Sequence, residues 1–224
     1  PDGKRVAFVS KRAADPDRTY DFNVYVVDAT VAAPAEPVRL TAYDGADNAP
    51  DWASRPAWSP DGREIAYLQG GPVKLIEYGV HKLAVVPAAG GAPRVLTESL
   101  DRNVAAPVWT PDGRAIRFLV EDDEAQRIAE APAAGGSIKP VAEGWRKFSG
   151  PSAGAKGALA VILSTPAAPA EVYAVEGSGE PRRLSTQNDA LMSELKLGSV
   201  TETRFRSKDG TEIPVEIALS PLAT

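Results

Sequence analysis

One turn recurs along this chain, and it constrains the fold more than any other feature. Pro1-Asp2-Gly3-Lys4 leads into Arg5-Val6-Ala7-Phe8-Val9, Pro60-Asp61-Gly62-Arg63 into Glu64-Ile65-Ala66-Tyr67-Leu68, and Pro111-Asp112-Gly113-Arg114 into Ala115-Ile116-Arg117-Phe118-Leu119. Each residue of the turn does something physical. Pro presets φ, Asp bonds local backbone, and Gly accepts a positive φ. The two complete copies are preceded by Trp58-Ser59 and Trp109-Thr110. A turn with an apolar strand on each side, repeated at intervals of tens of residues, marks a modular fold in which every unit is built alike.

A second pattern follows each first one. Val24–Asp28 leads to Val38-Arg39-Leu40-Thr41, and Leu83–Val86 leads through Gly90-Gly91 to Arg94-Val95-Leu96-Thr97. Ile128–Ala131 leads through Gly135-Gly136 to Lys139-Pro140-Val141, and Val172–Val175 leads to Arg182-Arg183-Leu184-Ser185. Gly-Gly suits a tight hairpin, and the flanking segments are rich in β-branched and apolar residues. No segment carries a helical period over a useful length. The fourth copy is degenerate: Ser149-Gly150-Pro151-Ser152-Ala153-Gly154 stands where the Trp-Ser-Pro-Asp-Gly turn belongs, before Ala158–Leu163.

Four short antiparallel strands per unit predict an all-β fold of β-propeller blades, about four of them, over 1–41, 56–97, 106–144 and 148–186. The predicted strand pairs are 4–10 with 23–28, 64–69 with 82–87, 115–120 with 127–131, and 158–163 with 171–176. The outer strands fall near 37–41, 93–97, 138–142 and 181–185. Trp58 and Trp109 end inner strands and fill the wedge between blades; nothing charged surrounds them that would suit base or sugar stacking.

Composition narrows the function classes. Hydrophobic residues make up 43%, charged residues 25%, and the net charge is −5. That balance, with no clustered basic run, argues against a nucleic-acid partner. There is no cysteine, hence no disulfide, thiolate metal site or cysteine nucleophile. No apolar run approaches the roughly 20 residues of a membrane span. The expectation is a soluble protein, cytoplasmic or periplasmic, and the opening in mid-turn suggests a segment of a longer one.

Candidate catalytic motifs are few. Gly150-Pro151-Ser152-Ala153-Gly154 matches Gly-x-Ser-x-Gly, but no helix-forming run follows it, and His81, the one histidine, precedes the serine. A plain turn is the preferred reading. A lone histidine does not make a metal site. Asp44, Asp47 and Asp51 lie in a long connection, and Glu121-Asp122-Asp123-Glu124 reads as a hairpin tip; neither has the spacing of a calcium loop. No catalytic residue, cofactor or metal is expected within the chain.

The repeat resembles the Trp-Ser-Pro-Asp-Gly propellers of TolB-like proteins and of the prolyl oligopeptidase family. The C-terminus favours the second. Glu202–Pro221, with Phe205-Arg206-Ser207-Lys208-Asp209-Gly210 inside it, resembles the first hairpin of the α/β-hydrolase domain in acylaminoacyl- and dipeptidyl-peptidase-like members. The resemblance implies a seven-bladed propeller over residues 1–188, partly represented here and open. Residues 189–224 would be a linker and hairpin leading into a catalytic domain with a Ser-Asp-His triad. It also implies a gating role, with the hydrolase domain and a peptide substrate as partners.

Strand direction places the loops between units and the middle hairpin loops on one face, where the chain also leaves for the hydrolase. The long loops lie on that face, and function concentrates on long loops held by a rigid scaffold. The substrate-facing candidates there are Arg18, Tyr20, Asp47, Asp51, Trp52, Arg55, Tyr78 and Arg102. Two alternatives stand beside this reading: a stand-alone TolB-like protein-binding module, and a propeller hydrolase with a metal in its own channel.

Overall fold

A computed structural model describes residues 2–32, 35–52, 54–123, 125–154, 156–177 and 179–220. The described chain is built from antiparallel meanders. The first is β1 (Arg5–Ser10), β2 (Asn23–Asp28) and β3 (Val38–Arg39). In the second, β4 (Gly45–Asp47) and β5 (Ala57–Trp58) both pair with β6 (Glu64–Pro72), which is followed by β7 (Lys82–Pro87) and β8 (Arg94–Val95). The third is β9 (Val104–Trp109), β10 (Ala115–Asp122), β11 (Ala125–Pro132) and β12 (Lys139–Ala142). The fourth is β13 (Lys147–Ala153), β14 (Leu159–Thr165), β15 (Ala168–Val175) and β16 (Arg182–Arg183). One parallel bridge, Gln126 to Lys147, merges the last two into an eight-stranded sheet. A short helix, α1 (Asp189–Glu194), then leads to a separate hairpin, β17 (Val200–Arg206) with β18 (Glu212–Ala218). The strand pairs expected from the repeat are the pairs observed, and no described sheet closes on itself.

The recurring sequence motifs have one structural meaning each. In the Pro-Asp-Gly turn the Ser59 hydroxyl donates to Asp61 Oδ1 at 2.7 Å, and that oxygen accepts the Arg63 N–H at 3.0 Å. Thr110 and Asp112 repeat this with the Arg114 N–H at 3.1 Å. The Ser207-Lys208-Asp209-Gly210 turn of the last hairpin repeats it again. Gly62, Gly113 and Gly210 take φ of +69°, +68° and +89°, which a side chain would strain. These bonds, the serine or threonine hydroxyl foremost, hold the carboxyls of Asp61 and Asp112 below the usual range and that of Asp209 down to about 2.

The Leu-Thr or Leu-Ser pair ending a meander is explained by one bond. Thr41, Thr97 and Ser185 each accept, through the side-chain oxygen, a backbone N–H of the neighbouring strand, from Val24, Leu83 and Val172 respectively, all at 2.9 Å. The hydroxyl serves a strand donor, buried in the first two cases and exposed in the fourth meander, after the short outer strand has stopped pairing. The third meander has Ala142 at this place, and there the ladder itself continues, Ile128 opposite Ala142.

The cores lie between meanders. Ile65, Tyr67, Ala84 and Val86 pack with Val24, Val26 and Leu40 of the first. Ala66, Leu68, Leu83 and Val85, one residue out of phase, pack with Val104, Trp109, Ile116 and Phe118 of the third. Leu119 and Ile128 pack with Phe148, Leu159, Val161 and Leu163 of the fourth. Alternate residues of one strand therefore serve different cores. Trp109 fills the wedge as expected, and its indole N–H donates to Ala57 O at 2.9 Å across the boundary.

Two expectations change. Gly150-Pro151-Ser152 is not the turn of the fourth unit. It lies inside β13, where the register shifts between Ser149 and Ser152 and Gly150 takes φ of +54°. With no Asp and no Trp to fix a Pro-Asp-Gly turn, a bulge absorbs the extra residues and the chain turns later, before β14. Asp47 is not in an open connection. It belongs to β4 and is 0% exposed, because Gly45–Asp47 pairs with β6 ahead of the Trp58 strand.

Candidate functional site on the loop face

The two edges of the meanders differ in kind. One carries the short turns, stacked unit on unit: Gly113 lies against Pro60, and Gly157 against Pro111. Arginines pin that edge, with Arg5 donating to Gly62 O at 2.8 Å and Arg94 to Ala133 O at 3.1 Å. The opposite edge carries the long loops, and the C-terminal hairpin sits there. Arg204 pairs with Asp123 Oδ2 at 3.1 Å, beside the β10–β11 turn. A cavity of about 240 Å³ lies at this junction, lined by Asp122, Arg127, Trp145, Glu202, Arg204 and Pro214 among others. A second, of about 420 Å³, lies between the hairpin (Val200, Glu216) and the β14–β15 turn (Thr165, Pro166).

The hairpin thus rests one face on the third and fourth meanders. Pairing of Arg204 with Pro214 and Glu202 with Glu216 puts these residues on that charged face. Thr203 opposite Val215 and Phe205 opposite Ile213 belong to the other face, where Phe205, Ile213 and Ile217 are exposed.

Of the sequence-derived candidates only Tyr20 and Asp51 are described in contact with each other; Trp52 and Arg102 each meet another partner, and the rest stand apart. Tyr20 packs edge-on against Phe22 at 5.5 Å, and its hydroxyl reaches Asp51 Oδ2 at 3.5 Å. Trp52 stacks on His81 with ring centres 3.9 Å apart, and its far edge lies over Gly70, where a Cβ would meet the ring at 2.7 Å. Burial holds the His81 imidazole below its ordinary pKa, toward the neutral ring that this stack accommodates. Arg102 donates to Asp122 Oδ1 at 2.8 Å and helps line a cleft of about 480 Å³ with Val80, Asn103, Glu121 and Gln126. Arg18 is exposed and paired with Asp15 at 3.3 Å; Arg55 is also exposed.

Tyr78 is 90% exposed at the end of a 3-10 stretch, Val73–Tyr78. Its loop is closed at the neck by Gly71 and Gly79, whose backbones touch so closely that neither admits a Cβ. Asp47, enclosed between the first two meanders, reaches no surface. Among the described residues, neither of its carboxyl oxygens meets a hydrogen-bond donor at bonding distance and angle, nor does the buried Tyr67 hydroxyl meet a partner. Burial pushes the Asp47 carboxyl up to about 7, against weaker opposing pulls from Thr41 and Arg39.

The two residues weighed in the sequence as candidates for chemistry stand in separate meanders. Ser152 is exposed in β13 opposite Ala160, and His81 is occupied by Trp52. Among the described residues no group of three or more His, Asp or Glu side chains could hold a metal ion, and no helix is long and apolar enough to cross a membrane. The Asp123–Arg204 contact, spanning 81 residues, and the hydrogen-bond network around Glu171 escaped sequence reasoning, since no local pattern signals either.

No family model matches the sequence. The curated relatives it matches include peptidases. It is 31% identical over 144 residues to dipeptidyl-peptidase 5 of Trichophyton equinum, covering 62% of this chain and 20% of the relative. It is 27% identical over 128 residues to the uncharacterized peptidase YuxL of Bacillus subtilis, covering 57% and 17%. With dipeptidyl-peptidase 5 of Porphyromonas gingivalis the match is 22% over 224 residues, 99% of this chain and 31% of that protein. The chain therefore spans less than a third of the relatives it matches. Among solved structures, an acylaminoacyl peptidase of Pyrococcus horikoshii superposes with a TM-score of 0.69 at 19% identity, covering 95% of this chain and 30% of that one. The β-propeller domain of the trilobed protease of Pyrococcus furiosus gives 0.59 at 16%, covering 83% and 53%. The fold is all-β and propeller-like.

Proposed function

We propose that this chain is the non-catalytic propeller portion of a serine peptidase of the prolyl oligopeptidase family, and that it gates peptide access to a hydrolase domain. The four meanders are read as four blades of a larger ring. The observation that carries this reading is the C-terminal hairpin. It leaves the repeat, rests its charged face on the loop edge and turns an apolar face outward. An exposed apolar strand face calls for a covering layer, and the core of an α/β-hydrolase domain supplies one. The peptidase relatives point the same way. In such an enzyme the loop edge faces the catalytic serine, and peptides pass along Tyr20, Asp51, Trp52, Tyr78 and Arg102. Charged side chains there suit peptide termini, and aromatic ones suit side chains.

The test is the enzyme encoded by the uninterrupted reading frame. It should react with a fluorophosphonate probe and hydrolyse dipeptidyl or acylaminoacyl anilides. Alanine at Arg102 or Tyr78 should change KM for peptides several-fold, with little effect from alanine at Asp61 or Asp112. An inert protein, or the reverse ranking, would overturn the reading. A second reading has its own support: TolB of Acinetobacter baumannii superposes with a TM-score of 0.59 at 15% identity, covering 97% of this chain and 49% of that one. A protein-binding module of that kind would not react with the probe.

A further inference from the structure

One position recurs in all four meanders, just before the strand residue whose N–H meets the terminal hydroxyl or its ladder equivalent. It is Asn23, Lys82, Arg127 and Glu171 in turn, aligned by the pairs Tyr25–Arg39, Ala84–Val95, Ala129–Pro140 and Tyr173–Arg183. Each side chain here reaches the segment at or just beyond the outer strand of its own meander. Asn23 Oδ1 accepts from Arg39 at 3.0 Å. Lys82 donates to Glu98 O at 3.2 Å and to Leu100 O. Arg127 pairs with Glu143 at 3.5 Å. The position is an anchor for the departing chain.

Glu171 differs from the others in two respects. In the first three meanders the anchored segment runs on to the next meander. From the fourth it runs to α1 and the hairpin. Glu171 is also the carboxylate of the set, with several donors gathered on it. It accepts from the Ser185 hydroxyl, from the Asn188 N–H at 2.8 Å and from Asn188 Nδ2 at 3.0 Å, and it pairs with Arg183 at 3.3 Å. Arg183 in turn pairs with Asp189, the first residue of α1. These donors cover the carboxylate near the surface, leaving its side chain 3% exposed. The Ser185 hydroxyl, with the Asn188 and Gln187 N–H groups, holds its carboxyl down to about 2. Asn188 stands at the N-cap of α1, where an Asn side chain ordinarily caps the helix. It makes no cap bond and turns back to Glu171 and to Ala170 O at 3.2 Å instead.

We propose that Glu171 is a positioning residue: it clamps Ser185–Asn188 against β15 and so sets the direction in which the chain leaves the fourth meander for the β17–β18 hairpin. If the peptidase reading holds, the same clamp sets where the catalytic domain stands over the loop edge; that clause alone rests on it. The experiment is hydrogen exchange by mass spectrometry on the whole chain, with Glu171→Ala, Glu171→Gln and Ser185→Ala, alongside tryptic cleavage after Lys196. Glu171→Ala should speed exchange at least tenfold at 185–188 and in the hairpin, and quicken cleavage after Lys196 at least fivefold. The amides of Val161 and Leu163 should keep their protection. Glu171→Gln, which keeps the volume but sets an amide among the donors, should do the same more weakly. Ser185→Ala should expose mainly the Val172 N–H.

Unchanged exchange at 185–188 and in the hairpin in a folded Glu171→Ala chain would overturn the proposal. So would loss of protection throughout β14 in the conservative Glu171→Gln chain, which would make Glu171 a general stability group. Neither readout depends on hydrolysis, so failure of the clamp and failure of the peptidase reading are told apart.

Discussion

The second and fourth meanders are built from similar apolar runs but use them differently. In β6 and β7, residues 65–68 and 83–86 are all 0% exposed, alternate side chains entering the cores on either side. In β14, Leu159, Val161 and Leu163 are buried, while Ala160 is exposed and Ile162 is 43% exposed; in β15, Val172 is 40% exposed. A continuous apolar run thus specifies a strand able to be buried on both faces. Whether it is so buried depends on the neighbours against which it stacks, and stability is therefore spread unevenly along the repeat, as in other stacked arrays.

The contrast can be broken most decisively at Phe118, which is 1% exposed in the core between the second and third meanders. Phe118→Ala should destabilise the chain by about 3–5 kcal/mol in chemical denaturation. A cost no larger than that at an outer-face residue would mean that the inner cores do not carry the fold.

Asp47 gives the next largest effect, and one with a pH signature. Its folded carboxyl titrates near 7, above the unfolded value of 3.8, because burial disfavours the charge. The stability linked to this group is fully present below pH 3.8, falls as pH rises, and is gone above about 7. Asp47→Asn should therefore add little near pH 4, gain steadily up to pH 7, and level off at a benefit on the order of 2–4 kcal/mol. Thermal melts of both chains from pH 4 to 8 would show it; a gain that is constant with pH, or a loss at pH 8, would show the carboxylate to be satisfied.

The smallest effect belongs to the outer face of the fourth meander. Ile162→Ala should change stability by less than about 1 kcal/mol in the same denaturation assay, since its side chain is already partly in water. A cost comparable to that of Phe118→Ala would show that something covers this face in solution.

Much of the architecture was legible in local chemistry. Pro-Asp-Gly, Gly-Gly and the terminal Leu-Thr or Leu-Ser each have meaning within a few residues: a preset φ, a positive φ, a hydroxyl placed to accept one strand N–H. Strand order followed, because antiparallel neighbours joined by short turns leave few alternatives. Other features depended on tertiary packing because they join residues distant in sequence or lack a fixed pattern. The burial of Asp47 depends on β4 pairing with β6 ahead of the Trp58 strand. The Trp52–His81 stack joins two loops, and the Asp123–Arg204 pair joins a turn to the hairpin. Glu171 looks in sequence like any polar residue at a strand start, and only the returning chain brings Ser185, Asn188 and Arg183 to it. Turns and alternation are set by short-range sterics and hydrogen bonding, so neighbouring residues settle them on their own. Which faces are covered, and which charges meet, is set by the stacking of whole meanders, which exists only once the chain has folded.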